Sequence, residues 1–157
     1  MDNNTLENIV SPLIDKLYSL SYAIVPNELE SEQLLVDAYT RFVVKDKEFI
    51  LDTQIEDGFD KNSFMDFCLS RLIQEIFSLA KKRNSSFLYS KKKSLDEFNV
   101  FYTLNLDSRV VIHLNTVLGF DENKIAQTLL IERHEIVKMM FMAKNELLEI
   151  KGQANEY

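Results

Sequence analysis

Only three glycines, Gly58, Gly119 and Gly152, and two prolines, Pro12 and Pro26, interrupt 157 residues. Glycine is the residue that readily takes positive φ, and tight hairpins need it, so a turn-rich β-sandwich or barrel is not expected. The remaining option is helices joined by short polar loops. The fold class expected is all-α, with two small helical domains joined by a linker and a C-terminal helix-turn-helix. With 46% hydrophobic and 27% charged residues, the composition is that of a globular chain and not of a disordered or collagenous one. At this length folding hides roughly 70% of the surface of the extended chain, so a genuine core is available.

The periodicity supports helices. Leu6, Ile9, Val10, Leu13, Ile14, Leu17 and Leu20 recur at three-four spacing, predicting a helix over 5–23 in which Pro12 marks a start. After a break at Val25-Pro26-Asn27, a second helix is expected over 31–44, with Leu34, Leu35, Ala38 and Phe42 inward. Residues 45–62 read as a polar connection. Asn62 or Ser63 then caps a third helix to Arg83, burying Phe64, Phe67, Cys68, Leu72, Ile76, Leu79 and Ala80. Ser85, Ser86, Ser90 and Lys91-Lys92-Lys93 mark a basic linker over 84–98 between domains 1–83 and 99–157. In the second domain a helix starts at Asp107 or Ser108 and ends at Gly119, Asp121 caps a short helix to Leu129, and a longer helix runs from Arg133 to Ile150. Short helix, tight turn and longer helix give a helix-turn-helix outline.

The formal net charge of minus seven argues against a dedicated nucleic-acid binder, but it is unevenly spread. Residues 1–60 hold thirteen acids and four bases, residues 61–93 two acids and eight bases, and residues 94–157 ten acids and six bases. The middle is a basic island in an acidic chain.

No enzyme site is expected. His113 and His134 fall in different helices without a cysteine or second histidine at ligand spacing, so no zinc site is expected, and each reads as a helix-surface or half-buried residue. The three glycines are too far apart to form a phosphate-cradling loop, and no cofactor is expected. Cys68, in an apolar run, reads as a small core residue and cannot form an internal disulfide as the lone cysteine. The N-terminus lacks a signal-peptide pattern and no apolar run reaches the roughly 18 residues that span a bilayer, so a soluble cytoplasmic chain without membrane contact is expected.

Taken together, the two helical units, the acidic second helix, the aromatic-led third helix ending in bases and the C-terminal helix-turn-helix resemble the extracytoplasmic-function class of bacterial RNA polymerase sigma factors. The resemblance spans nearly the whole chain. Glu30 through Phe42 is similar to the family's Asp-Ala-Glu-Asp-Leu-Val-Gln-Glu pattern and its sequel, with Gln33 in place of Asp and Val36 in place of Gln. The resemblance implies that Gln33, Leu34, Asp37 and Arg41 face the polymerase core. Phe64 and Phe67 stand where the family has Phe-x-x-Trp, and Lys81-Lys82-Arg83 stand at its basic tail. With Lys91, Lys92 and Lys93 of the island, these imply contacts to promoter DNA by stacking and phosphate binding, although Phe64 and Phe67 also read as core.

The last third keeps the family's framework at Ile136, Met140, Ala143 and Leu147 and changes its DNA-reading positions. Glu135, Val137, Met139 and Met142 replace Thr, Lys and two Arg, and Leu130 replaces the turn Gly; Arg133, Lys138 and Lys144 remain for DNA. Phosphate contacts supply much of such a module's affinity, so weakened promoter reading is expected. Val137, Met139, Phe141 and Met142 make the last helix apolar around much of its girth, which fits packing on the first domain, a homodimer, or docking of a partner protein. Two functions follow. One is a sigma-like initiation factor that binds RNA polymerase core and helps promoter recognition and opening. The other is a sigma-fold adaptor that binds an anti-sigma or other regulatory protein without specific DNA binding.

Overall fold

A computed structural model describes residues 3–53, 60–83 and 101–155. All regular elements among them are helical. α1 (Asn3–Val10) and α2 (Ile14–Ile24) are one expected helix broken by a 3-10 turn, Ser11–Leu13, with Pro12 inside it. Proline lacks the amide that a continuous helix would use there, and the tighter turn absorbs the loss. The chain leaves α2 in extended geometry at Val25, and Asn27 starts α3 (Glu28–Lys45), its side chain accepting from the Glu30 amide at 3.0 Å. This asparagine cap places the start three residues before the expected one.

A short helix α4 (Lys47–Thr53) corrects part of the connection expected over 45–62: Ile50 is buried, giving this segment an apolar anchor that too few residues surrounded to show a period. α5 (Lys61–Lys82) is capped by Asp60, which accepts from the Asn62 amide and the Ser63 hydroxyl. The cap therefore falls just before the expected Asn62 or Ser63. The linker expected over 84–98 lies outside the described residues.

After a 3-10 turn at Phe101–Thr103, α6 (Leu106–Thr116) begins at an Asn105 cap. Nearly all of α6 is buried, because α2 covers one side and the last helix another. Gly119 takes φ 73° after it, and Phe120 donates its amide to Leu114 O at 2.9 Å. α7 (Glu122–Leu129) follows its Asp121 cap as expected, and α8 (Arg133–Asn155) starts as expected at Arg133.

α3 packs along α5, α2 lies on both and on α6, and α5 also carries α7. One apolar cluster runs through these contacts, from Leu17, Leu34, Phe42 and Leu72 on one side of the linker to Leu114, Ile125 and Ile136 on the other. A smaller cluster of Leu104, Ile112 and Ala143 closes the far side of α6. The halves separated in sequence by the basic segment thus share a core, and that contact sets how the surfaces below are presented.

Candidate functional site

α3 carries the first set of expected contact residues. Gln33 donates to Asp37 Oδ1 at 2.8 Å, and Arg83 at the end of α5 donates to Asp37 Oδ2 at 2.6 Å. The Arg83 hydrogen bond, seconded by Gln33, lowers the Asp37 pKa below the ordinary carboxylate value. Arg41 Nε lies 3.3 Å from Glu75 Oε2 of α5. Leu34 is 1% exposed and belongs to the core beneath this face, which removes it from the contact set. The outward line of α3 is Leu29, Gln33, Val36, Thr40 and Val44. Val36 also lines a groove of about 650 Å³ between α1–α2 and α3, together with Ile14, Leu35, Tyr39, Glu7 and Glu32 and the buried Val10, Leu17 and Leu72.

Glu75, which the sequence did not single out, lies beneath this candidate face. Its carboxylate is buried and meets three cations: Lys45 at 3.0 Å, Arg71 at 3.4 Å and Arg41 at 3.3 Å. The Arg41 contact has the distance of an ion pair without the alignment of a hydrogen bond, which leaves Oε2 without a hydrogen-bond partner. Arg71 also pairs with Asp46 at 3.0 Å and donates to Gln74. Burying a carboxylate is costly unless charge and hydrogen bonds compensate it, and this arrangement fixes α3 against α5 in one register. The i,i+4 pair Arg71–Glu75 was the only local signal of it.

On α5, Phe64 is 3% exposed, and burial removes it from the expected base-stacking pair. Phe67 is half-buried, its ring 4.3 Å from that of Phe49 of α4. Both aromatics thus act first as packing. Lys81 and Lys82 are exposed at the C-terminus of α5, Lys81 Nζ lying 4.3 Å from the Phe77 ring centroid. Lys91, Lys92 and Lys93 lie outside the described residues. Cys68 is buried as expected, its thiol pushed up to about 12 by burial, with the Asp46 charge adding to it.

In the helix-turn-helix, Lys138 and Lys144 are exposed, and Arg133 reaches Glu122 at 3.2 Å. Val137, Phe141 and Met142 are exposed; Met139 is half-buried and packs against the core. The expected partner face is therefore narrower by one residue. Leu130 sits where the family has glycine, and its φ is 58°. Ile131 donates to Ala126 O at 3.1 Å, the wrap that ends a helix through a left-handed residue. A leucine in that conformation costs about 1–2 kcal/mol.

Two buried polar side chains of α6 join the halves. Arg109 donates to Ala23 O at 3.2 Å and Ile24 O at 2.8 Å, the free carbonyls at the end of α2, with the Tyr102 ring 5.6 Å away. One turn on, His113 Nε2 and Ser19 Oγ are 3.0 Å apart. His113 is buried, a correction of its expected surface or half-buried position, and burial pushes its pKa down to about 4. The unfolded chain binds a proton near pH 6.5 and the folded one only near pH 4, so the contribution is complete above pH 6.5 and is lost as pH falls through that window. We expect wild-type stability to fall between these values by on the order of 2 kcal/mol, allowing for solvent at the edge of the site. Urea titrations at several pH values check this: in His113→Gln the same interval is flatter, and an unchanged slope contradicts the assignment.

Among the described residues no group of three or more His, Cys, Asp or Glu side chains could hold a metal ion, and no helix is long and apolar enough to cross a membrane. No protein-family profile and no curated protein sequence matches the chain. Among solved structures it is similar to the sigma factor RpoE, in that protein's co-crystal structure with the anti-sigma factor NepR from Bartonella quintana. The TM-score is 0.63 at 18% sequence identity, covering 94% of this chain and 97% of that one. This likeness shows that the chain has a sigma-factor-like, all-helical fold.

Proposed function

We propose that the chain is a sigma-like transcription initiation factor that docks on RNA polymerase core through the outer face of α3. The observation that carries this reading is the fold similarity, which covers 94% of this chain and 97% of the sigma factor it resembles. The ion pairs of Asp37 and Arg41 support it by holding α3 rigidly on α5, with Gln33 and Val36 left to meet a partner. Promoter contacts would come mainly from the basic stretch around Lys81 and Lys82, since α8 offers few cations. The protein performs no synthesis of its own in this reading; it places the polymerase, in the cytoplasm where polymerase works.

Reversing Asp37 or Arg41 would also break α3 from α5, so the informative variants are Gln33→Lys and Val36→Glu at exposed positions. Binding of each to immobilised core polymerase is expected to weaken by about tenfold or more, with helical content and melting unchanged. Wild-type affinity in both variants overturns this docking surface.

A second reading is the adaptor, which binds a regulatory protein and reads no promoter. The exposed Val137, Phe141 and Met142 of α8 favour it, because nucleic-acid phosphates offer these side chains nothing.

A further inference from the structure

Val137, Phe141 and Leu148 are all exposed on α8, and their spacings of four and seven residues set them on one line of the helix. Phe141 is the most prominent, 67% exposed. At 100° per residue, Arg133 and Lys144 border this line on one side and His134 and Lys138 on the other. All four are exposed; Arg133 reaches across to Glu122 of α7 at 3.2 Å, and His134 Nε2 lies 3.4 Å from Glu135 Oε1. The carboxylates of Glu135, Glu146 and Glu149 lie farther round the helix. The result is an apolar stripe with Arg133 and Lys144 as cations along one side and Lys138 along the other.

Leu130, in the turn that leads into this helix, is 80% exposed and left-handed at φ 58°. A leucine there is unfavourable twice over, in backbone conformation and in exposure, and such an outlier points to a contact made outside the free chain. A second copy of the chain would bring like-charged borders together. Duplex DNA would bury Phe141 against a hydrated backbone and gain few phosphate contacts.

We propose that this face of α8, with Leu130, docks a short acidic amphipathic helix of a regulatory protein, apolar line against apolar line and carboxylates opposite Lys138 and Lys144. The inference deepens the adaptor reading and rests on it. Apolar contact supplies the affinity, and the charged border sets orientation and rejects basic helices.

The test is fluorescence anisotropy of the full chain with a labelled synthetic helix that presents leucines on one face and glutamates beside them. A matched peptide with lysines replacing the glutamates and a duplex DNA serve as competitors. The acidic peptide is expected to bind, more weakly as salt rises, and about tenfold tighter than the lysine peptide. Phe141→Glu abolishes binding, and Lys138→Glu with Lys144→Glu inverts the preference. Leu130→Asn suits the left-handed turn, so a chain of equal or greater stability that binds more weakly excludes misfolding as the cause.

Equal binding of the two peptides, no binding of the acidic one, tighter binding of DNA, or a dimer in light scattering that Phe141→Glu dissolves each overturns the proposal. Specific open-complex formation by the chain with core polymerase overturns the adaptor reading instead, whatever the peptides do.

Discussion

Glu75→Gln is expected to destabilise the protein by about 2–3 kcal/mol, a fall in Tm of roughly 5–10 °C for a chain of this size. The substitution keeps the shape of the side chain and removes its charge, leaving Arg41, Lys45 and Arg71 to repel one another around a neutral amide. The cost stays below that of an isolated buried charge because the three cations are partly exposed and water relieves them. Glu75→Ala loses more, since a cavity adds to the lost pairing. Chemical denaturation of Glu75→Gln, Arg41→Gln and the double variant isolates the coupling, and simple additivity of the two single effects contradicts the buried cluster. The same variants loosen α3 from α5, so the proposed polymerase face weakens with them.

Arg109→Ala carries the second large effect, about 3 kcal/mol or more. The guanidinium donates to two carbonyls at the C-terminal end of α2, where no intrahelical donor remains and where the helix dipole favours a cation. Its Nε is buried without a hydrogen-bond partner, and burial lowers its pKa, so the group is held at some expense and the two carbonyl bonds with the Tyr102 ring must compensate. Arg109→Met restores the volume and leaves the carbonyls unmet, so it is expected to recover only part of the loss. Hydrogen exchange would show the effect at both ends of the α2–α6 contact. Protection lost only in α6 would mean that Arg109 does not join the halves.

The parts of the fold set by local chemistry were legible in the sequence. Asp121 followed by Ile125, Ala126 and Leu129 specifies α7 to the residue, and Pro12, read as a helix start, lies in the 3-10 turn just before α2 begins at Ile14. Leu130 stands where the family it resembles has a turn glycine, but that its backbone is left-handed, at φ 58°, was seen only in the structure. α4 was missed because one buried Ile50 with a neighbouring Phe49 sets no period.

The polar interior was not legible, for one physical reason. Helical periodicity assigns polar residues to the outside, and the partners that permit burial are distant in sequence. Glu75 meets Lys45 across 30 residues, His113 meets Ser19 across 94, and Arg109 reaches Ile24 across 85. Conversely, Leu34 and Phe64 were assigned to surfaces by resemblance, although their own apolar spacing had already placed them inside, where the structure has them.

The central claim, a sigma-like factor that engages RNA polymerase, is tested most directly by titrating purified core polymerase into the fluorescently labelled wild-type chain. The account predicts saturable one-to-one binding that Val36→Glu weakens and Phe141→Glu leaves intact. A folded wild-type chain that shows no binding to core at any concentration reached would contradict it.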